Sequence, residues 1–256
     1  MTPTVTTANR RQTKAGRQYE IENEFYVGVT TMLGLLSKPA LVPWAAKVER
    51  DYVVEVAGQL YDGLRAHQST ITGTKFASTL SKQLGPKAHT QQLKSAGNIG
   101  SEAHGLIEHR LRIRLGQTLG PEPDVSDPAR WAVSRFEDWA GDTIKPELVE
   151  QVVYSTTHQY AGTLDLVATV AGQRLLIDFK TGKRIYREEA FLQSAFYQVA
   201  LAEMGHGAVD GAVVIRLPKV VGDPDVEVAA VPSLEELWPA CDAILRLWKW
   251  RQEIVF

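Results

Sequence analysis

Cysteine is nearly absent from this sequence, and long apolar runs are missing altogether. A single cysteine among 256 residues excludes a disulfide framework and any iron–sulfur cluster or zinc site that needs four cysteine ligands. Because no apolar run approaches about 18 residues, the sequence predicts no transmembrane helix and no membrane partner. Residues 1–17 lack the apolar segment of a secretory signal, so a cytoplasmic protein is expected.

An excess of charge of one sign is also missing. The formal net charge is −2, so any nucleic-acid binding has to come from a local basic surface. With 44% hydrophobic and 23% charged residues, the composition is that of a globular protein with one sizeable core. Residues 1–17 contain four basic residues and no acid, which predicts a flexible basic tail, with a nucleic-acid-binding arm as the alternative.

The spacing of apolar residues predicts an α/β fold, in which a sheet is covered by helices. In chain order the predicted elements are an extended segment at 19–29, helices at 30–36, 42–64, 97–116 and 127–139, strands at 148–155, 160–170 and 174–181, a helix at 188–204, and strands at 208–217 and 226–231. A capping box from Ser233 to Glu236 predicts the start of a final helix. Residues 70–94 have little pattern and are expected to be a mobile insertion.

The most strand-like segment contains two acids. Residues 162–183 read GTLDLVATVAGQRLLIDFKTGK, and Ala171 with Gly172 predicts a two-residue hairpin turn. In the register that this turn imposes, Asp165 lies directly opposite Asp178. Side chains alternate along a strand, so both acids are expected on one face of the hairpin.

The same register places Thr163 opposite Lys180 on the face that carries the acids. The other face holds only apolar residues and is expected to be the core face: Leu164, Leu166, Ala168, Leu175, Ile177 and Phe179. A shift of the register by one residue would move one of the acids to this apolar face.

Two carboxylates in this arrangement repel each other, because directly opposed Cβ atoms are about 4.5–5.5 Å apart. A divalent cation relieves the conflict, since carboxylate oxygens bind Mg²⁺ at about 2.0–2.1 Å and both acids can share one ion. A conflict of this kind is expected at a functional site. The alternative is that Asp165 and Asp178 lie on a solvated sheet face, paired with Lys180.

Two residues outside the hairpin are candidates for the same site. Glu150 lies in a strand-like run and can reach the pocket, or it is a solvated acid on an edge strand. His104 lies on a predicted helix beside the apolar stripe, so it is either a packing residue or a metal ligand. As a ligand, imidazole would favour tolerance of Mn²⁺.

Polar residues after the hairpin are further candidates. Gln193 and Tyr197 are four residues apart and share one face of the predicted helix. They form either a polar rim or a set of hydrogen-bond donors, with the tyrosine able to stack on a base. Lys183 and Arg184 follow the hairpin directly and either meet phosphates or belong to a solvated loop.

In chain order these residues form the series GxxxH, E, GxxD, DxK and QxxxY, at 100–104, 150, 162–165, 178–180 and 193–197. The series resembles the PD-(D/E)XK nuclease superfamily, in the RecB-like exonuclease branch that includes phage exonucleases and the mitochondrial genome maintenance exonuclease. The resemblance covers about residues 26–204.

The resemblance implies a restriction-endonuclease-like core. This core consists of a helix, a three-stranded antiparallel meander, a helix and a strand, with extra N- and C-terminal helices. Residues 18–256 are then a single nuclease domain, made of an N-terminal helical part at 18–96, a catalytic core at 97–217, and a C-terminal strand and helix at 218–256.

The implied activity is that of a metal-dependent DNA exonuclease on single strands or duplex ends, in recombination, repair or phage DNA metabolism. By analogy, His104, Asp165, Asp178 and the Phe179 carbonyl hold Mg²⁺ or Mn²⁺, and Glu150 assists through a water or a second ion. The alternative is a catalytically silent DNA-binding subunit of a repair or recombination complex.

The remaining roles also follow from the resemblance. Lys180 would orient the attacking water, because an unshifted lysine is a poor base. Gln193 and Tyr197 would brace the site or guide the strand, and Lys183 and Arg184 would meet phosphates. No helicase segment is present, so unwinding would need a partner; a recombinase, a helicase or a single-strand-binding protein is expected.

Overall fold

The structure is a computed structural model, and it describes residues 8–13, 16–36, 38, 41–85, 87–141 and 143–255. The chain divides into two compact units, one of residues Met1–Leu36 and Ile99–Phe256 and one of residues Ser37–Asn98. The larger unit contains the sheet and all the candidate site residues. The predicted division of one domain at residues 96 and 217 stays a prediction.

Among the described residues, eight strands form one sheet. The strands are β1 (Ala8–Thr13), β2 (Gly16–Ile21), β3 (Glu24–Gly28), β4 (Lys145–Ser155), β5 (Tyr160–Val170), β6 (Gln173–Lys180), β7 (Gly211–Arg216) and β8 (Glu227–Ala230). Their order in the sheet is β1-β2-β3-β5-β6-β7-β8, and β4 pairs with β5.

Seven helices belong to the described part of the chain. They are α1 (Val29–Leu33), α2 (Leu41–Ala66), α3 (Gly73–Gln83), α4 (Ala88–Arg114), α5 (Asp127–Ala140), α6 (Arg187–Glu203) and α7 (Leu234–Val255). The predicted capping box is confirmed, since the Ser233 hydroxyl donates to Glu236 Oε1 at 2.8 Å and accepts from the Glu236 backbone N–H at 3.3 Å. None of the described helices combines the length and the apolar composition that crossing a bilayer requires.

The predicted α/β class with its restriction-endonuclease-like core is confirmed. After α4 and α5, strands β4, β5 and β6 form an antiparallel meander, α6 follows, and β7 pairs in parallel with β6. The hairpin turn is also as predicted: Val170 pairs with Gln173, and both Ala171 and Gly172 have positive φ, at 49° and 83°. A two-residue turn of this kind matches the twist of the strands that it connects.

The predicted flexible tail and the predicted mobile insertion both contain regular secondary structure. The described part of the predicted flexible tail contains β1, which pairs with β2 along its whole length, and the guanidinium of Arg11 forms an ion pair with Glu20. Residues 1–7, 14 and 15 lie outside the described residues. The predicted mobile insertion at 70–94 contains α3 and the start of α4, and the Thr72 side chain caps α3 by accepting from the Lys75 N–H.

The sheet is buried on both faces, which corrects the prediction of a single core face. One face packs against α4 and α5 through Leu166, Ala168, Ile177 and Phe179. The other face, which packs against α6, contains Val167 and Leu176 and also Leu164. Leu164 was expected to share a face with Leu166, so the alternation of β5 breaks between these two residues.

The break coincides with a change of partner along one edge of β5. Strand β4 pairs with β5 along its length, but the opposite edge of β5 pairs first with β3, up to Gly28 and Ala161, and then with β6, from Leu166 and Ile177 onward. Residues 162–165 lie between these two ladders. We call this stretch the β5 gap, and the acids, the histidine and Lys180 of the candidate site lie near it or are linked to it.

Candidate active site

Asp165 closes the β5 gap with its side chain. Its Oδ2 atom accepts a hydrogen bond from the Phe179 N–H at 2.7 Å, where a regular ladder would use backbone carbonyls. Its Oδ1 atom lies 3.5 Å from His104 Nδ1. Burial opposes ionisation of Asp165, but the charges of His104 and Lys180 and the Phe179 hydrogen bond together lower its pKa. Asp165 is therefore a carboxylate at neutral pH.

Glu150 faces the gap from β4. The neighbouring pairs, Val149 with Leu166 and Gln151 with Leu164, leave Glu150 unpaired between them. Its φ of 46° is left-handed, a conformation that costs a non-glycine residue about 1–3 kcal/mol and that clusters at functional sites.

The backbone next to Glu150 is held by a hydrogen bond from α4, and the side chain of Glu150 lies close to the histidine. Arg112 donates from Nη2 to the Val149 carbonyl at 3.2 Å. The Glu150 carboxylate points toward the histidine, with Oε1 lying 3.7 Å from His104 Nδ1.

His104 reaches the site from α4, where its neighbours Ala103, Leu106 and Ile107 fix the helix against the sheet. Its Nε2 atom lies 3.1 Å from the Phe179 carbonyl oxygen. When Nε2 carries the proton and donates to this carbonyl, Nδ1 presents a lone pair toward the acids. Burial would lower the pKa of His104, but the negative charges of Asp165 and Glu150 outweigh burial and raise it well above its ordinary value.

Ligand atoms of His104, Glu150 and Asp165 all lie within 4.8 Å of one another. One imidazole nitrogen and two carboxylates suit a divalent cation that accepts both nitrogen and oxygen ligands. The predicted ligand set was His104, Asp165, Asp178 and the Phe179 carbonyl. The structure brings Glu150 into the group with His104, whereas Asp178 lies outside it and the Phe179 carbonyl contacts the histidine.

Asp178 lies on β6, next to the Phe179 N–H that Asp165 binds, and is only 3% exposed. Its Oδ1 and Oδ2 atoms lie 2.9 Å and 2.8 Å from Lys180 Nζ. Burial raises the pKa of Asp178 to about 6; Lys180 counteracts this shift and the charge of Asp165 adds to it. The ladder of the hairpin ends at Leu166 with Ile177, so the predicted direct pairing of Asp165 with Asp178 is not formed, although the charge of Asp165 still acts on Asp178.

The hydrogen bonding of Asp178 is a further indication that a cation fits beside these residues. Among the described residues, Asp178 Oδ2 is buried and accepts no hydrogen bond of good geometry; its only close polar contact is the ion pair with Lys180. A buried carboxylate oxygen with incomplete hydrogen bonding is costly unless another group compensates it. A cation bound between the acids would supply that compensation.

Lys180 connects the acids to α6. Its Nζ donates to Gln193 Oε1 at 3.1 Å, and Gln193 Nε2 donates to the Tyr197 hydroxyl at 3.1 Å. Burial would lower the pKa of Lys180, but the charges of Asp178 and Asp165 raise it above its ordinary value. The lysine is therefore an ammonium group in a fixed position. The pair Gln193 and Tyr197, predicted to share a helix face, does form one chain of hydrogen bonds.

Gly162 makes room for Tyr197. A Cβ atom on Gly162 would lie 2.3 Å from Cε1 of the tyrosine ring, so the ring rests directly on the backbone of the β5 gap. Tyr19 lines the same gap, with its hydroxyl 3.1 Å from Thr163 Oγ1. Sequence reasoning did not identify Tyr19, because β2 and β5 are far apart in the chain and no local pattern connects them.

Lys183 and Arg184 stand apart from the group of ligand atoms. Both are exposed in the loop after β6, and the Arg184 guanidinium lies over the Tyr186 ring, 4.9 Å from its centroid. Their contact with phosphates stays a prediction.

The fold and the site define a class: a nuclease-type α/β domain whose acids, histidine and lysine surround the junction of β5 and β6. A family model of the PD-(D/E)XK nuclease superfamily matches residues 73–250, and the chain belongs to this superfamily. A comparison with curated proteins gives no match. Membership of this superfamily implies a nuclease, and the predicted superfamily is confirmed.

Proposed function

We propose that the chain is a divalent-cation-dependent DNA exonuclease of the RecB-like branch. The observation that carries the proposal is the convergence of His104, Glu150 and Asp165 within 4.8 Å, beside the ion pair of Asp178 and Lys180. The order of the motifs GxxxH, E, GxxD, DxK and QxxxY supports the RecB-like branch, because the histidine on α4 belongs to that series.

The chain's own residues would hold Mg²⁺ or Mn²⁺ through His104 Nδ1 and the carboxylates of Glu150 and Asp165. Asp178, which is ion-paired with Lys180, and the Phe179 carbonyl, which contacts His104 Nε2, stay further predicted ligands. A bound cation neutralises charge at a phosphate and makes water more acidic, which are the two requirements of phosphodiester hydrolysis. The imidazole nitrogen favours tolerance of Mn²⁺, since nitrogen ligands suit manganese better than magnesium.

In the metal-free protein Lys180 holds its proton, because the charges of Asp178 and Asp165 raise its pKa. Its ammonium group, fixed by Asp178 and Gln193, orients the attacking water and stabilises negative charge that develops on the phosphate. Tyr197 holds Gln193 in place. In this proposal Lys183 and Arg184 bind phosphates of the strand.

The proposed substrates are DNA single strands or duplex ends, in recombination, repair or phage DNA metabolism in the cytoplasm. The support is the motif order alone. A helicase, a recombinase or a single-strand-binding protein, each of which acts on such strands or ends, is the proposed partner.

Digestion of end-labelled linear strands, linear duplex and circular single strands tests the proposal. We expect linear DNA to be degraded with Mg²⁺ or Mn²⁺, circular DNA to survive, and EDTA to stop the reaction. Cleavage of the circles would contradict the exonuclease assignment. DNA binding without cleavage under any metal would instead indicate the catalytically silent subunit.

The variant Lys180→Ala separates chemistry from metal binding. We expect Mn²⁺ binding, measured by isothermal titration, to stay near the wild-type level, because the lysine is not a ligand. Cleavage should fall by about 10²–10³-fold, the contribution of one positioned donor that stabilises developing negative charge. The matched control is Lys47→Ala, which removes the lysine of an exposed pair with Asp51 on α2. Wild-type activity in Lys180→Ala would refute the assigned role.

A further inference from the structure

Two loops leave the sheet at the same end of its strands, beside Lys180. One comprises residues 181–186, between β6 and α6, and the other residues 217–226, between β7 and β8. Because β6 and β7 are parallel, with Lys180 paired to Arg216, both loops start at the same level. The Leu217 N–H donates to the Lys180 carbonyl at 2.8 Å, so the second loop begins against the catalytic motif itself.

Basic side chains converge on these loops. Lys183 and Arg184 are exposed in the first loop, and the half-buried Lys219 lies in the second. Burial lowers the pKa of Lys219, Asp223 opposes the shift, and the positive charge of Lys183 lowers the pKa further. The two lysines come from loops that start side by side, and with Arg184 they are the basic groups of these loops; Asp223 lies in the second loop with Lys219.

Exposed apolar groups accompany the cations. The Tyr186 side chain is 55% exposed and lies beside the Arg184 guanidinium. Val220 and Val221, 59% and 75% exposed, form the tip of the second loop, in a turn closed by the hydrogen bond from the Asp223 N–H to the Val220 carbonyl at 3.1 Å. Aromatic faces combined with basic side chains are the composition of single-strand-binding surfaces.

The position of Tyr186 is set by the fold. The preceding residue, Ile185, is buried with Val214 of β7 and Ala229 of β8. Tyr186 itself is the N-cap residue of α6, and the same helix carries Gln193, the hydrogen-bond partner of Lys180. The ring is therefore held at a defined place relative to the catalytic lysine.

We propose that Tyr186, Arg184, Lys183 and Lys219 form a docking surface for a single DNA strand, in which one base stacks on the tyrosine ring and the basic side chains hold the adjacent phosphates. The proposal rests on the nuclease function above and adds the strandedness of the substrate. A base inside a duplex has both faces covered by its neighbours, so a stacking platform recognises an unpaired strand. The exposed valines supply an apolar tip of the kind that other proteins insert between bases.

Binding of a fluorescein-labelled single strand and of a blunt hairpin duplex to the full-length chain, followed by anisotropy in EDTA, tests the platform. We expect Tyr186→Ala to weaken single-strand binding by at least about fivefold, the loss expected for one stacking contact, and to leave duplex binding unchanged. Tyr186→Phe should bind like the wild type, because the ring is kept. The matched control is Tyr61→Ala, at a tyrosine of similar exposure (58%) on α2.

The salt dependence of binding tests the cations. We expect Lys219→Gln to reduce the slope of log affinity against log salt by about 0.7, the value for one lost phosphate contact on a single strand. Lys249→Gln, at an exposed lysine of α7, should leave the slope unchanged. Equal slopes in both variants would overturn the assignment of Lys219.

The outcomes distinguish this surface from the nuclease function. If the wild type degrades DNA and Tyr186→Ala binds single strands equally well, the docking surface is wrong and the nuclease stands. If single strands bind through Tyr186 but no metal supports cleavage, the nuclease is wrong and the surface stands. Equal loss of single-strand and duplex affinity in Tyr186→Ala would overturn the preference for single strands.

Discussion

At the scale of single residues, the site is organised by charges around one imidazole. His104 is half-buried, yet its pKa is raised because Asp165 and Glu150 face its Nδ1 atom. Glu150 achieves this contact only through a left-handed backbone conformation. The same arrangement that stabilises a proton on the imidazole in the metal-free protein suits a cation in its place.

The pKa of His104 should fall in the variant Glu150→Gln. The amide keeps the size of the side chain but removes one of the negative charges that stabilise the imidazolium, so the proton is lost at lower pH. Titration of the histidine resonances by NMR in metal-free protein measures the change. Glu147→Gln is the control, because Glu147 lies on the same strand but pairs with Arg174. An unchanged pKa of His104 in Glu150→Gln would contradict the assigned contact.

At the scale of secondary-structure elements, the decisive feature is the change of partner along β5. The strand pairs with β3 at its start and with β6 toward its end, and the β5 gap between these ladders admits the Asp165 carboxylate and the Tyr197 ring. Gly162 is required there because any side chain would overlap the ring.

Gly162→Ala should therefore destabilise the larger unit. The added methyl group would lie 2.3 Å from the Tyr197 ring, and an overpacked position lowers the free energy of unfolding by about 1–3 kcal/mol. Gly105→Ala is the matched control, because Gly105 lies inside α4 with no atom within 4 Å of the added methyl, and alanine there raises the free energy of unfolding by about 0.5–1 kcal/mol. Chemical denaturation measures both. Equal stability of the two variants would refute the close contact.

Local patterns were sufficient to predict most elements of the core. The hairpin register follows from the preference of Ala171 and Gly172 for a tight turn, and helix α6 follows from its own periodicity. The break of β5 at Asp165 was not predictable, because it depends on β3, a strand more than a hundred residues earlier in the chain. The burial of both sheet faces was missed for a different reason: Asp165, Asp178 and Lys180 gave the second face a polar pattern, whereas Val167 and Leu176 on that face pack in a core with residues of α6.

At the scale of the whole molecule, the two units differ in how their helices are buried. Helices α2 and α3 of the smaller unit contain no buried residue, whereas α6 of the larger unit is lined with buried side chains, including Phe196 and Leu201. Segments with few buried contacts open at low free energy, and those in a core open only with the whole unit.

Backbone amides of α2 and α3 should accordingly exchange with solvent much faster than those of α6. Hydrogen exchange followed by mass spectrometry on the full-length chain measures the difference peptide by peptide. Helix α7 serves as an internal control, because Cys241 and Leu245 are buried against the same core as α6 and its central amides should be protected. Protection of α2 equal to that of α6 would contradict the difference in burial.

The sequence by itself determined the order of helices and strands, the hairpin turn, and the series of acids, histidine and lysine, because each depends on spacing within a short stretch of chain. Only the tertiary structure decided that Glu150 lies with His104 and Asp165 while Asp178 pairs with Lys180. That partition arises where β3, β4 and β6 meet along β5, and a contact between distant segments leaves no periodic pattern in any one of them.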